Sequence, residues 1–256
     1  MTRILAIHAH PDDVEIFAGG TAALLVERGH HVTIVTMTPG DCGTTDYPPE
    51  EIAAIRRKEA ADAARLIGAE YICAEFRDLA IFNDDASRRR VTEILRCTQP
   101  EIVLTSSPED YHCDHEATSA LVRDACFAAP APNYDAGTAS PIARIPHLYF
   151  VDPAEGRDRS GRPVLPDFVV NIESTFEKKK AMFACHQSQR DWLRTHHHMD
   201  DYLETMEQWT REQGRRANIT YGEGFRPYHC HPYPQSPLLE ELVGGAIPIP
   251  GGIAKP

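Results

Sequence analysis

Hydrophobic and polar positions follow two rhythms along the first half of the chain. Short runs rich in β-branched residues, Arg3–Ile7, His31–Met37, Tyr71–Phe76 and Glu101–Thr105, have the length of buried strands, and each leads into a loop rich in Gly, Pro, Asp, Asn or Ser. Between them, Glu15–Arg28, Pro49–Ile67 and Ser87–Thr98 follow a helical period; in the second, Ile52, Ile55, Ala63, Leu66 and Ile67 recur at compatible spacing. Strands alternating with helices in this way predict βαβ units joined by right-handed crossovers. The expected fold is α/β, a Rossmann-like, mostly parallel sheet flanked by helices, with an active site at the carboxyl ends of the strands.

The second half is less regular. A helix is expected over about Asp114–Phe127, strands near His147–Val151 and Phe168–Ile172, and helices at about Phe176–Cys185 and Met199–Gly214. Ala128–Pro146 and Asp152–Pro166 are dense in Pro, Gly, Ala and charge and read as long loops, the kind that serve as lids or interface arms. From about residue 225 the Pro/Gly-rich tail is expected to be irregular. No internal repeat is present, and 256 residues at 42% hydrophobic content suit one domain spanning residues 1–256.

Charge narrows the partners. Lys and Arg number 26 against 38 Asp and Glu, and the net charge of -12 repels phosphate backbones and anionic lipid, so neither nucleic acid nor membrane is expected. No apolar run approaches the roughly 18–20 residues of a membrane helix. Seven cysteines without a C-x-x-C pair fit a reducing compartment, and a cytoplasmic protein is expected.

Two clusters carry candidate chemistry. His8-Ala9-His10-Pro11-Asp12-Asp13-Val14-Glu15 lies where the first strand gives way to the first helix, and Asp110-Tyr111-His112-Cys113-Asp114-His115 follows the fourth strand. In an open parallel sheet, loops after different strands meet along one edge. Zinc takes imidazole nitrogen and carboxylate oxygen, and a catalytic site uses three protein ligands and leaves one position for water. The pooled clusters contain such a set, with acids and an imidazole to spare for proton transfer and oxyanion stabilisation. Taken singly, each cluster has a plainer explanation as a helix cap.

Together the clusters resemble the LmbE-like, or PIG-L, family of zinc-dependent N-acetylglucosamine deacetylases. The resemblance rests on Ala9-His10-Pro11-Asp12-Asp13 and His112-Cys113-Asp114-His115, supported by Gly19-Gly20-Thr21. More diluted likenesses are Arg56 with Glu59, and His186-Gln187-Ser188-Gln189. It implies Zn2+ on His10, Asp13 and His115, Asp12 as general base, His112 as transition-state support, and Asp114 as the residue that orients His112. Arg56 is a candidate to hold substrate. The implied reaction is removal of an N-acyl group, acetyl above all, from an amino sugar or its conjugate. A homo-oligomer is expected because the two long loops and the Pro/Gly-rich tail have little reason to be ordered on an isolated domain, and the resemblance implies a trimer or hexamer. A catalytically silent metal- or sugar-binding module is the alternative, against which stand Asp12 and His112, groups a closed structural zinc site does not need.

Other residues are read more plainly. Cys113 is expected to be a small buried residue pointing away from the metal, and His8 a buried, hydrogen-bonded histidine. His196-His197-His198 cannot all face one ion on a helix and is read as surface. His229-Cys230-His231 is read as exposed loop, and Arg88-Arg89-Arg90 as a solvated helix start. In the Thr38–Thr45 loop, Gly40 and Gly43 mark turns that need unusual backbone angles. Substrate preference is expected to reside in the Thr38–Pro49, Ala128–Pro146 and Asp152–Pro166 loops.

Overall fold

The computed structural model describes residues 1–197 and 202–250. Strands and helices alternate as β1 (Arg3–His8), α1 (Asp13–Glu27), β2 (His31–Thr36), α2 (Pro49–Ile67), β3 (Glu70–Cys73), α3 (Asp85–Thr98), β4 (Ile102–Thr105), α4 (Cys113–Ala128) and β5 (His147–Val151). There follow β6 (Phe168–Asn171), α5 (Phe176–Phe183), α6 (Gln187–His197), α7 (Tyr202–Arg216), β7 (Gly222–Pro227), α8 (Leu238–Leu242) and β8 (Ile247–Pro248). All eight strands form one sheet in the order β3-β2-β1-β4-β5-β7-β6-β8. The pairings among β1 to β5 are parallel, whereas β7 runs antiparallel to β5 and β6, and β8 to β6.

Side chains alternate across the sheet, as the period of a strand requires. Ile4, Ala6, Ile34, Ile102 and Leu104 face one core layer, built with α1, α2, α5 and α7. Leu5, Ile7, Val35 and Val103 face the other, built with α3 and α4. The chain leaves β1 toward β2 on one side and reaches β4 on the other, so the carboxyl ends of β1 and β4 flank the switch point where such sheets hold ligands.

The tail departs from expectation. Gly222–Pro227 is a fully paired strand, and α8 and β8 follow it. Its composition hides it because Glu223 forms a buried ion pair with Lys179 at 2.7 Å. At the next position, a β-carbon on Gly224 would stand 2.3 Å from an Asp152 carboxylate oxygen. The helix α6 was also not foreseen; it carries His196 and His197, while His198 and Met199 lie outside the described residues. Among the described residues, no helix is long and apolar enough to cross a membrane.

Candidate active site

The turn from β1 into α1 is built on an unusual residue. Asp12 stands at φ 103°, in the left-handed region that a non-glycine residue enters at a cost of about 1–3 kcal/mol. The bend sends neighbouring carboxylates in different directions. Asp13 turns toward the second cluster, its Oδ2 accepting the His10 N–H at 2.7 Å, while Asp12 accepts from the Tyr202 hydroxyl at 2.6 Å.

Asp13 stands between two imidazoles. Its Oδ2 lies 3.5 Å from His10 Nδ1, and its Oδ1 lies 3.3 Å from His115 Nε2. The other nitrogen of each ring meets a further carboxylate: His10 Nε2 meets Asp114 Oδ2 at 3.1 Å, and His115 Nδ1 meets Asp110 Oδ2 at 3.2 Å. Carboxylates behind imidazoles fix ring orientation and raise basicity in metal centres. Burial disfavours charge on both rings, yet the Asp114 and Asp13 hydrogen bonds carry His10 up to about 9, and Asp13 and Asp110 hold His115 well above its usual value. Burial likewise opposes ionisation of Asp13, but His115 and His10 keep its carboxyl well below the ordinary range. The cluster thus calls for positive charge between its carboxylates, and its donor set of imidazole nitrogen and carboxylate oxygen suits a divalent cation such as zinc.

His112 caps α4, its Nδ1 accepting the Asp114 backbone N–H at 3.1 Å. Desolvation lowers its pKa, so the ring is neutral near pH 7 and the free Nε2 carries the proton as a donor. Asp114 therefore holds His112 through its backbone. Its carboxylate faces His10 and the Leu79 N–H, so the contact that Asp114 makes to His112 is the backbone one. Ring nitrogens of His10, His112 and His115 lie within 4.8 Å of one another, so a three-histidine ligand set is also geometrically open. Asp110 carries more than the sequence assigned to it: besides His115, it accepts the N–H groups of His112 at 3.2 Å and Ala154 at 3.1 Å.

Burial, reinforced by the negative charge of Asp13, raises the Asp12 pKa to about 6; His186, the Tyr202 hydrogen bond and Arg56 pull the other way. Arg56 is buried, with its guanidinium donating to Gly40 O at 3.2 Å, Gly43 O at 2.9 Å and Gln189 Oε1 at 2.5 Å. Glu59, one turn along, accepts Ser188 N–H and hydroxyl at 2.9 and 2.6 Å, so the two diluted sequence likenesses meet in space. Gly40 has φ 77°, and a β-carbon there would stand 2.6 Å from Arg56; Gly43 does not have positive φ and instead leaves room for the guanidinium.

Other expectations divide. His8 is fully buried, 3.4 Å from the Ser106 hydroxyl, with desolvation lowering its pKa to about 4. Cys113 is exposed, contrary to the buried position expected, because it opens α4 at the surface. His229 is half-buried and pairs with Gln235, while Cys230 and His231 are exposed, and the His229–His231 stretch is absent from the metal-ligand clusters among the described residues. Asp41, Cys42 and Asp78 do cluster, but Asp78 accepts Thr38 and Cys42 donors and Asp41 accepts the Asp78 N–H, which makes them a loop clasp.

These groups border a cavity of about 420 Å³. Its walls include His10, Asp12, Asp13, Arg56, His112 and His115, and the aromatic side chains of Phe17, Tyr111, Trp192, Tyr202 and Trp209. Tyr202, Trp192 and Trp209 come from α6 and α7, where no local pattern marks them in the sequence.

Comparison with known proteins follows the same lines. The GlcNAc-PI de-N-acetylase (PIG-L) family model matches residues 5–126. A 4-oxalmesaconate hydratase from Pseudomonas putida is 27% identical over 87% of this chain and 87% of its own length. A diacetylchitobiose deacetylase from Thermococcus kodakarensis is 27% identical over 88% of this chain and 82% of its own. The solved structure of the N,N'-diacetylchitobiose deacetylase from Pyrococcus horikoshii superposes with a TM-score of 0.77 at 28% identity, covering 93% of this chain and 88% of that one. The family match runs from within β1 to within α4 and contains both clusters, so the segment that carries the candidate site is the segment in which the chain is similar to the PIG-L family.

Proposed function

We propose that this chain is a zinc-dependent deacetylase that hydrolyses the N-acetyl group of an amino sugar or a conjugate carrying one. The observation behind this reading is the pair of imidazoles held between Asp13 and the carboxylates of Asp110 and Asp114, with Asp12 beside them in the same pocket. His10, Asp13 and His115 would hold the ion. Bound there, zinc supplies Lewis acidity toward water and an amide carbonyl.

The residues do the rest. Asp12, with a pKa near 6, is ionised at neutral pH yet more basic than an exposed aspartate, and it takes the proton of the attacking water. Tyr202 fixes one of its oxygens and leaves the other for that transfer. Neutral His112 directs its Nε2–H at the carbonyl oxygen as negative charge develops. When the C–N bond breaks, the proton held on Asp12 passes to the departing nitrogen, leaving acetate and a free amine.

A hydratase is the second reading, favoured by the length of the match to the Pseudomonas putida enzyme. The pocket speaks for the first. Among the described lining residues Arg56 is the only Lys or Arg, and its terminal nitrogens are already engaged by Gly40, Gly43 and Gln189. Beyond the ion itself, a substrate with several carboxylates would meet Asp12, Asp13 and Asp78 and no Lys or Arg with an open terminal nitrogen among the described lining residues. All seven cysteines are free, which supports a reducing, cytoplasmic location.

The test is acetate release by zinc-loaded protein from N,N'-diacetylchitobiose and from inositol- and malate-linked N-acetylglucosamine, with metal content measured beside rate. Wild type should release acetate from at least one. Asp12→Ala should keep zinc and lose about 10²–10⁴-fold in rate. His115→Ala should lose most of its zinc, while His112→Ala should keep it and turn over about 10²–10³-fold more slowly. Equal zinc loss in both histidine variants would favour the three-histidine set. Binding without turnover at verified zinc occupancy would favour a silent module.

A further inference from the structure

Leu79 stands at φ 62° in the left-handed region, lines the pocket, and is 62% exposed. In that region a β-carbon crowds its own carbonyl, so leucine is a strained occupant where glycine or asparagine fits more easily. The backbone bend has a clear purpose: the Leu79 N–H donates at 2.7 Å to Asp114 Oδ2, the same oxygen that meets His10 Nε2. That bond needs only the backbone. The leucine side chain belongs to neither core layer, and its exposed face is at the pocket.

Tyr111 shares the position. It lines the same pocket, is 72% exposed, and stands edge-on to His112 and His115 with ring centroids 5.6 and 5.9 Å away. Two large apolar side chains, each more than half exposed, therefore mark the mouth of a cavity whose ligating atoms are buried. Both stand directly beside the ligating groups, Tyr111 against His112 and His115 and Leu79 against Asp114, and since an acetyl group has only two carbons, a substituent large enough to cover both side chains belongs to the amine half of the substrate.

We propose that Leu79, with Tyr111, forms an apolar lip that determines specificity, receiving an uncharged hydrophobic substituent on the amine side of the substrate, such as an apolar aglycone. The proposal rests on the deacetylase reading and narrows its substrate class. Strain at Leu79 is held in place by the Asp114 bond, and the side chain it displays yields contact area only when that substituent is bound. Conjugates with an anionic aglycone gain nothing from this surface and meet no free Lys or Arg among the described lining residues.

The experiment measures kcat/KM for acetate release from the octyl and methyl glycosides of N-acetylglucosamine, with zinc-loaded wild type and Leu79→Asn. Wild type should prefer the octyl glycoside on the order of 10-fold, and Leu79→Asn should erase most of that ratio. Zinc content should stay the same and the melting temperature should not fall, since asparagine accepts the backbone angle and keeps the N–H bond; Leu79→Gly serves as a second such variant. A ratio near one in wild type, or an unchanged ratio in both variants, would overturn the lip while leaving the deacetylase reading standing. A gain confined to the N-octanoyl analogue would overturn its placement on the amine side. Acetate from neither glycoside nor from the other N-acetylated sugars would remove both readings.

Discussion

Asp152, at the end of β5, is buried against Gly224, and neither of its carboxylate oxygens has a hydrogen-bond partner among the described residues. Burial pushes its pKa up to about 6, with Arg226 and Arg216 moderating the rise. A folded-state value above the unfolded one means that the folded chain binds this proton more tightly, so stability falls as pH rises from about 4 through 6. The shift corresponds to about 3 kcal/mol. Asp152→Asn should therefore gain on wild type by up to roughly that amount between pH 4 and pH 7.5, read from urea unfolding at both. A pH-independent difference would show that the carboxylate is satisfied in solution. At this scale the sequence was most legible where residues stand together: His10, Asp12 and Asp13 in one run, His112 and His115 in another. Asp110 sat in plain view, but its role follows from His115 having a second nitrogen to orient. Asp114 was matched to its neighbour in sequence when its carboxylate crosses to His10, 104 positions away. Leu79, Tyr202 and Trp209 each come singly from other segments, and a lone residue carries no pattern.

Among the elements, α1, α5 and β7 share one buried ion pair. Lys179 and Glu223 are 1% and 2% exposed, Lys179 also donates to Ile16 O, and Glu223 accepts the Gly20 and Thr21 N–H groups. Glu223→Gln leaves an ammonium in the core without its counter-charge, and a loss of about 3–5 kcal/mol is expected by urea unfolding at neutral pH. Lys179→Met combined with Glu223→Gln should recover part of it, because the lone charge is gone. Recovery of nothing would mean that the two residues act independently. The same pair explains why β7 escaped sequence reading: a strand of Gly-Glu-Gly-Phe-Arg-Pro lacks the β-branched signature, and what places it is a partner on α5. The first five strands needed no such help, since their apolar runs alone define them.

For the whole molecule, the expectation of a homo-oligomer was drawn from long loops with little reason to be ordered alone. One of them is ordered on its own chain: Arg96 donates to Ala129 O and Ala131 O, Gln99 to Ser140 O, and Arg89 to Asp135 O. The case now rests on the Asp152–Pro166 loop and on exposed Leu165 and Phe127. Light scattering at micromolar concentration should give a mass above one chain, and a sharp single-chain mass with full activity would reject the assembly.

The adjacency of β1 and β4 in the sheet has a consequence for how the molecule assembles. Asp13 and His115 belong to segments separated by three strands' worth of chain, and they face each other only after β4 has paired with β1. An unfolded chain offers an ion scattered donors and no such enclosure, so metal uptake would act as a clasp that closes last and is released first. Occupancy then becomes a source of cohesion in its own right. Each tenfold rise of free metal above its dissociation constant would deepen the folded basin by about 1.4 kcal/mol, and a chelator would remove that increment from the fold as a whole.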